Sequence, residues 1–363
     1  MMPVLRSFLP CTALTALLAL GCNAAHATQS TTGCSWNTGP SGPLTYSADV
    51  GNFWVPRDAE VGSVIGTLAQ RVVSREPLGR QVRCYNDGSL FLTVSISSAL
   101  PVHPGTLPPI NGWDVNGKVL QTSIPGVGLY IRMDHPFDGI GNNTFTPTDD
   151  LAIPYQGENS IRMRPSPLLI NTLVAHYTLV KTGQIPAGPQ SFSGLAATSV
   201  VTDVGAAFEL SVRGGVQQAQ CTLKADAVSA DPVQLGDYTL ADFSGVGSTT
   251  PDVDFHIKLS DCEDDPNASI ARAHIRLEGR NGSVVEDPSL GLFSLSSGST
   301  ASGIAIQLLR NDGSPMELQN DVPVTPLSIG TTQLDFRARY YQTAARVGAG
   351  SADGALDFTI SYR

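Results

Sequence analysis

Lysine is almost missing from this 363-residue chain: only 4 of its 22 basic residues are Lys, and charged residues of all kinds make up 15%, where about 25% is usual. Acidic residues number 32, for a net charge of -10. With no basic face to meet phosphate, nucleic acid is excluded as a partner. No HExxH, GxSxG or P-loop motif occurs, and no two cysteines stand at CxxC spacing. Zinc, thioredoxin-type, hydrolase and nucleotide chemistry therefore have no local signature, and no cofactor is expected. Acidic neighbours such as Asp149-Asp150 and Glu263-Asp264-Asp265 read as solvated turn acids, because carboxylate spacing in sequence does not identify a glycosidase pair. No segment sustains a 3.6-residue apolar period, and beyond the N-terminus no run is long and apolar enough to span a bilayer.

What the chain has instead is breakers. Gly 36 and Pro 25 make up about a sixth of it, while apolar residues reach 41%, enough for folded cores. The recurrent period is two. Leu90, Leu92, Val94 and Ile96 share one face; so do Val253, Phe255, Ile257 and Leu259; Ala273, Ile275 and Leu277; Leu334, Phe336, Ala338 and Tyr340; and Leu356, Phe358, Ile360 and Tyr362. Such alternation buries one side of a strand and wets the other. Asn86-Asp87-Gly88, Asn281-Gly282 and Asp312-Gly313 punctuate the runs. An all-β protein of sandwiches is expected.

The N-terminus reads as an address. Arg6, an apolar run over residues 8–20 and Ala25-His26-Ala27 form the pattern of a secretory signal over residues 1–27. Acylation at Cys22 is the competing reading. Cleavage after Ala27 leaves Cys34, Cys84, Cys221 and Cys262, separated by 50 and 41 residues within each pair. Four cysteines allow three connectivities; export favours oxidation, and the wide gap between the pairs suggests one bridge in each half. The weakest join falls at Arg213-Gly214-Gly215, dividing the remainder into residues 28–213 and 214–363.

The second part carries an ordered set of features: Cys221; Val233-Gln234-Leu235-Gly236; the Phe255 to Leu259 run into Cys262; Gly303-Ile304-Ala305-Ile306-Gln307-Leu308; the Leu334 to Tyr340 run; and a last alternating strand with Gly350 fourteenth from the end and Tyr362 next to last. In this order they resemble the pilin domain of chaperone–usher fimbriae. The resemblance implies an immunoglobulin-like sandwich lacking its last strand, with a groove lined by Gly350, Leu356, Phe358, Ile360 and Tyr362 and a chaperone anchored at Arg363. It also implies partners: a periplasmic chaperone, an outer-membrane usher and an adjacent subunit donating a strand by β-augmentation. An ordinary subunit carries an alternating donor extension before its first Cys. Here only residues 28–33, without an apolar side chain, precede Cys34, so the resemblance points to the fimbrial tip.

The first part more faintly resembles the receptor-binding domain of a type 1 fimbrial tip adhesin. Cys84-Tyr85-Asn86-Asp87 matches the Cys-x-Asn-Asp at the sugar pocket of that adhesin. Asn86 and Asp87 are thus candidate ligand residues, although Asn-Asp-Gly is also a strong turn signal. Trp113-Asp114 and the polar loop holding Asp134, His135, Asp138 and Asn142 beside Phe137 and Phe145 form a second candidate surface. The resulting expectation is a non-enzymatic adhesin at the cell surface, binding a host or surface receptor, with a glycan as the favoured class. A structural subunit without receptor binding and a secreted carbohydrate-active enzyme are the alternatives.

Overall fold

A computed structural model describes residues 32–363; the export signal read at residues 1–27 lies outside them. Among the described residues, strands account for the regular structure apart from a single 3-10 turn, Leu240–Asp242. The period-two runs become Leu92–Ser98, Val253–Glu263, Arg272–Arg280, Gly330–Gln342 and Ala355–Tyr362. Their burial alternates with the sequence, as in Leu92, Val94 and Ile96, each at most 1% exposed.

Two cores result. In the first, the sheet of Val64–Arg75, Thr172–Lys181, Val127–Met133 and Val119–Gln121 faces the layer containing Gln190–Val201, Leu92–Ser98 and Tyr155–Asn159. Ile65, Ile96, Leu129, Ile131, Leu173 and Phe208 meet between them. In the second, Val253–Glu263, Gly330–Gln342 and Ile304–Arg310 form one layer, and Val322–Pro326, Arg272–Arg280 and Ala355–Tyr362 form the other. Ile257, Leu259, Ile275, Leu277, Leu308 and Phe336 fill that core.

One strand belongs to both. Gly205–Val228 runs for 24 residues without a break, straight through Arg213-Gly214-Gly215. The glycines serve close approach rather than a break. A Cβ on Gly214 would press into Val50 and Phe192, and one on Gly215 into Asn52 and the carbonyl of Gln190. The core changes further on, Val216 packing in the first and Ala219 in the second. The N-terminal part of this strand is flanked on both edges, antiparallel by Gln190–Val201 and parallel by Leu44–Pro56.

Of the three connectivities, the structure adopts the one that joins Cys34 to Cys84 and Cys221 to Cys262. Cys34 and Cys84 stand opposite each other across Gly33–Thr38 and Gln81–Tyr85. Cys221 lies on the shared strand and Cys262 on its neighbour, Val253–Glu263.

An ion pair is buried beside the first core. The Glu76 side chain is 0% exposed and meets Arg80 Nε at 2.8 Å. The amides of Leu78 and Arg80 donate to its other oxygen at 2.8 Å each, and Arg80 ties to the carbonyl of Pro43. Desolvation opposes the Glu76 charge, but the Arg80 and Leu78 hydrogen bonds outweigh it and hold the carboxyl below its ordinary value of 4.5. The unfolded chain then binds more protons in acid. The contribution is complete above the unfolded value and is lost as pH falls through the folded one. Urea midpoints of the native chain should therefore drop on acidification below about pH 4.5 by more than those of Glu76→Gln. Parallel pH profiles would show that the pair contributes nothing.

Candidate functional site

A wide cavity lies in the second sandwich. It encloses about 730 Å³. Its floor is apolar, from Ile257, Ile275, Leu277 and Phe336, all of them nearly inaccessible. Residues 230–240 with Val228 and Phe243 line one wall, and residues 347–356 with Phe358 line the other. The second wall is fixed by Gly350, where any Cβ would overlap the backbone of Thr300 and Ala301. Backbone bonds between Ser302 and Gly348, and from Thr300 and Ala301 to the carbonyl of Ser351, hold the two segments together.

The terminal strand Ala355–Tyr362 explains the openness of this cavity. It pairs with Arg272–Arg280 only, at the edge of a three-stranded sheet. Arg363 and Arg272 exchange both backbone bonds, at 2.7 and 3.1 Å. By the alternation of an antiparallel ladder, Ser361, Thr359 and Asp357 bond inward, whereas Leu356, Phe358, Ile360 and Tyr362 turn their N–H and C=O toward the other edge. These same four residues carry the apolar side chains, with Asp357 and Thr359 exposed on the opposite face. Backbone donors and apolar pockets thus lie along one line, as strand addition requires.

The sequence-read groove residues do not all sit alike. Gly350, Leu356 and Phe358 line the cavity; Ile360 lies beyond its lining, half-buried against the second core. Tyr362 is 2% exposed, and its hydroxyl donates to the carbonyl of Cys221 at 3.1 Å. Arg363 pairs with Asp321 at 2.9 Å.

In the first sandwich, Asn86 is fully buried. Its Nδ2 donates to the carbonyl of Leu90 at 2.8 Å and to the Oδ1 and carbonyl of Asn159 at 3.1 Å, while its Oδ1 accepts from the amides of Gly88 and Leu90. Its whole hydrogen-bonding capacity is spent inside the protein, so it has none to offer a ligand: the turn reading of Asn86-Asp87-Gly88 describes its place. Replacement by Ala strands these buried partners, and the midpoint of urea unfolding should report a loss of about 2–3 kcal/mol. An unchanged midpoint would mean that water replaces the side chain.

Asp87 stays exposed and caps Ser89, whose hydroxyl and amide hold its carboxyl below the ordinary range. The Asn86 network reaches the polar loop through Asn159, whose Nδ2 donates to the carbonyls of Asn142 and Thr144. Phe137 and Phe145 are both inaccessible and stack with each other in the core; they anchor the loop and present no ring to solvent. Asp138 caps the amide of Ile140, and Asn142 lies exposed.

A polar row crosses the outer sheet nearby. Arg71 stands opposite His176, and His176 opposite Arg132. The Arg132 guanidinium lies 3.9 Å over the Trp113 ring, so the half-buried Trp113 has one face already covered. Asp134 accepts from His176 at 3.3 Å and Arg71 at 3.2 Å. Burial opposes its charge, but the His135 amide and these two partners keep its carboxyl below the ordinary range. Trp113 and Asp134 thus meet one row through Arg132 and His176, with His135 exposed beside it. Asp114 instead caps Asn116. The sequence reading missed Asn159 and Arg132, and neither carries a local signal: each matters only through partners far along the chain.

Known proteins resemble the second half of the chain in sequence. The family described as "Fimbrial protein" matches residues 207–363. The chain is 29% identical over 197 residues to a fimbrial subunit type 1 of Salmonella typhimurium, covering 53% of this chain and 97% of that protein. It is 31% identical over 180 residues to the fimbrial-like protein SfmA of Escherichia coli K12, covering 47% and 92%. Among solved structures, the CupB6 tip adhesin of Pseudomonas aeruginosa aligns over 91% of this chain and 93% of its own, at 18% identity and a TM-score of 0.34. The chain belongs to the fimbrial protein family, of the chaperone–usher type. Its relatives of single-subunit length account for about half of it.

Proposed function

We propose that this protein is a fimbrial adhesin of two parts, in which residues 214–363 join the fimbria by accepting a strand and residues 28–213 contact a receptor. The observation that carries the reading is the state of the segment before Cys221. In an ordinary subunit that segment is the donor. Here Leu44–Pro56 flanks it on one edge and Gln190–Val201 on the other. It is committed to the first sandwich and not free to fill a neighbour's groove. A subunit that accepts but does not donate belongs at the end of the assembly, on the cell surface after passage through the periplasm. The partners that follow are a periplasmic chaperone, an outer-membrane usher and one adjacent subunit. The first sandwich, absent from single-subunit relatives, supplies the receptor contact. The row from Arg71 to Trp113 and the exposed Asp87, His135 and Asn142 are its polar surfaces, and a surface glycan is the receptor class they suit, through groups that both donate and accept.

The test has two arms on the full chain. Saturating donor-extension peptide from a fimbrial subunit should raise the melting temperature, since a ligand that binds only the folded state stabilises it by about 2.7 kcal/mol at a hundredfold excess over Kd. A glycan and matrix-protein array should give saturable binding without turnover. Peptide capture with a silent array would make this a structural subunit. Turnover of a glycan would make it an enzyme.

A further inference from the structure

The open edge of the terminal strand is not open along its whole length. At its Tyr362 end it meets the continuation of Leu44–Pro56, a strand that starts in the first sandwich and runs parallel to the shared strand as far as Ala219 opposite Pro56. Val55 packs in the first core, while its neighbour Trp54 packs against the second. One residue past Pro56, the Arg57 amide donates to the carbonyl of Ala219 at 3.1 Å. Asp58 then turns to the terminal strand. Its amide donates to the Tyr362 carbonyl at 2.9 Å, and its Oδ2 accepts from the Tyr362 amide at 2.8 Å. The Arg57 guanidinium lies 4.6 Å over the Tyr362 ring and reaches the Ile360 carbonyl at 3.4 Å.

Residues 54–58 therefore bridge the two edges that the groove leaves apart, with backbone bonds to each and a large side chain against the core. They do at one end of the groove what an added strand does along the rest of it. The bridge is braced from behind by Lys181, 3% exposed, whose Nζ donates to the Arg57 carbonyl at 2.6 Å.

We propose that the Arg57–Asp58 segment is a built-in stop: the chain complements the Tyr362 end of its own groove, and a strand from a neighbouring polypeptide pairs along Leu356 and Phe358 and ends at Ile360. The proposal rests on the strand-accepting reading above. The occupant is an extended segment with alternating apolar side chains, because Leu356 and Phe358 present apolar side chains to the cavity and turn their N–H and C=O to the same edge, and the amides of Arg57 and Asp58 already bond across that gap to Ala219 and Tyr362. A longer extension gains nothing, since its extra residues find Tyr362 already bonded.

The test uses the full chain and two synthetic peptides: a ten-residue strand alternating valine with threonine, and the same strand lengthened by four residues at each end. Affinity is read by titration and pairing by amide hydrogen exchange. With the native chain, both peptides should bind within twofold of each other. Both should slow exchange at Leu356 and Phe358 and leave the Arg57 and Asp58 amides protected. In Arg57→Ala/Asp58→Ala the Tyr362 amide of the free chain should exchange faster, and the longer peptide should bind at least tenfold tighter than the shorter. Asp58→Ala alone, a milder change, should move both readouts the same way. If the longer peptide already binds tenfold tighter to the native chain and exposes the Asp58 amide, there is no stop, while the groove stands. If neither peptide protects Leu356 or Phe358 in any variant, the strand-accepting reading falls and takes the stop with it.

Discussion

Phe358→Asp should abolish strand capture while leaving the first sandwich intact. Phe358 pairs with Leu277 across the sheet and lines the cavity on the edge strand. On the proposed function an incoming strand would cover its ring, and burying a side chain of that size is worth about 1.5–3 kcal/mol. A carboxylate there must also leave water without a partner, an added cost of several kcal/mol. Capture of a donor peptide should weaken at least a hundredfold, equivalent to about 2.7 kcal/mol. The control is Thr359→Asp, one residue on. Thr359 is exposed on the opposite face, and its backbone bonds inward, so capture should be unchanged. Equal losses in the two variants would mean that charge on the strand, and not the facing of Phe358 into the groove, governs binding.

Removing the Cys221–Cys262 bridge should have an effect of the same order, on stability. The bridge closes a separation of 41 residues, worth about 4 kcal/mol in the chain-entropy model. It ties the shared strand to its neighbour in a sandwich whose terminal strand is paired on one side. Cys221→Ser/Cys262→Ser should lower the urea midpoint of the second sandwich first, seen as proteolysis within residues 214–363 before residues 32–213. Added donor peptide should restore part of the difference. Simultaneous cleavage of both parts at the native denaturant midpoint would mean that packing alone holds the second sandwich.

Much of this was legible along the chain. Alternation in the run from Leu356 to Tyr362 identified a half-buried strand and its inward face, since strand side chains alternate regardless of what covers them. The order of Cys221, Cys262, Gly350 and Tyr362 pointed to the fimbrial family. Other residues read differently in space. Gly214-Gly215 looked like a break but serves close packing against Val50 and Asn52. Asn86 looked like a turn or a ligand group, and its burial against Asn159 settles it inside the protein. Phe137 and Phe145 sat among polar residues, but the fold draws them into the core. For the glycines and Asn86 the deciding partner lies tens of residues away or more, and Phe137 likewise meets Phe208 across the core.

By itself the sequence determined the all-β class, the positions of its alternating strands and the family of its second half. These follow from local facts: a period of two, breakers at fixed places and a short ordered motif set. Only the tertiary structure decided that Leu44–Pro56 runs parallel beside the shared strand and carries Arg57 and Asp58 to Tyr362, more than 300 positions away. Nothing in the local pattern of Trp54 to Asp58 names that partner. The contact exists because the long strand Gly205–Val228 carries its parallel neighbour from one core into the next, and a register set in the first sandwich places a side chain at the end of the groove in the second.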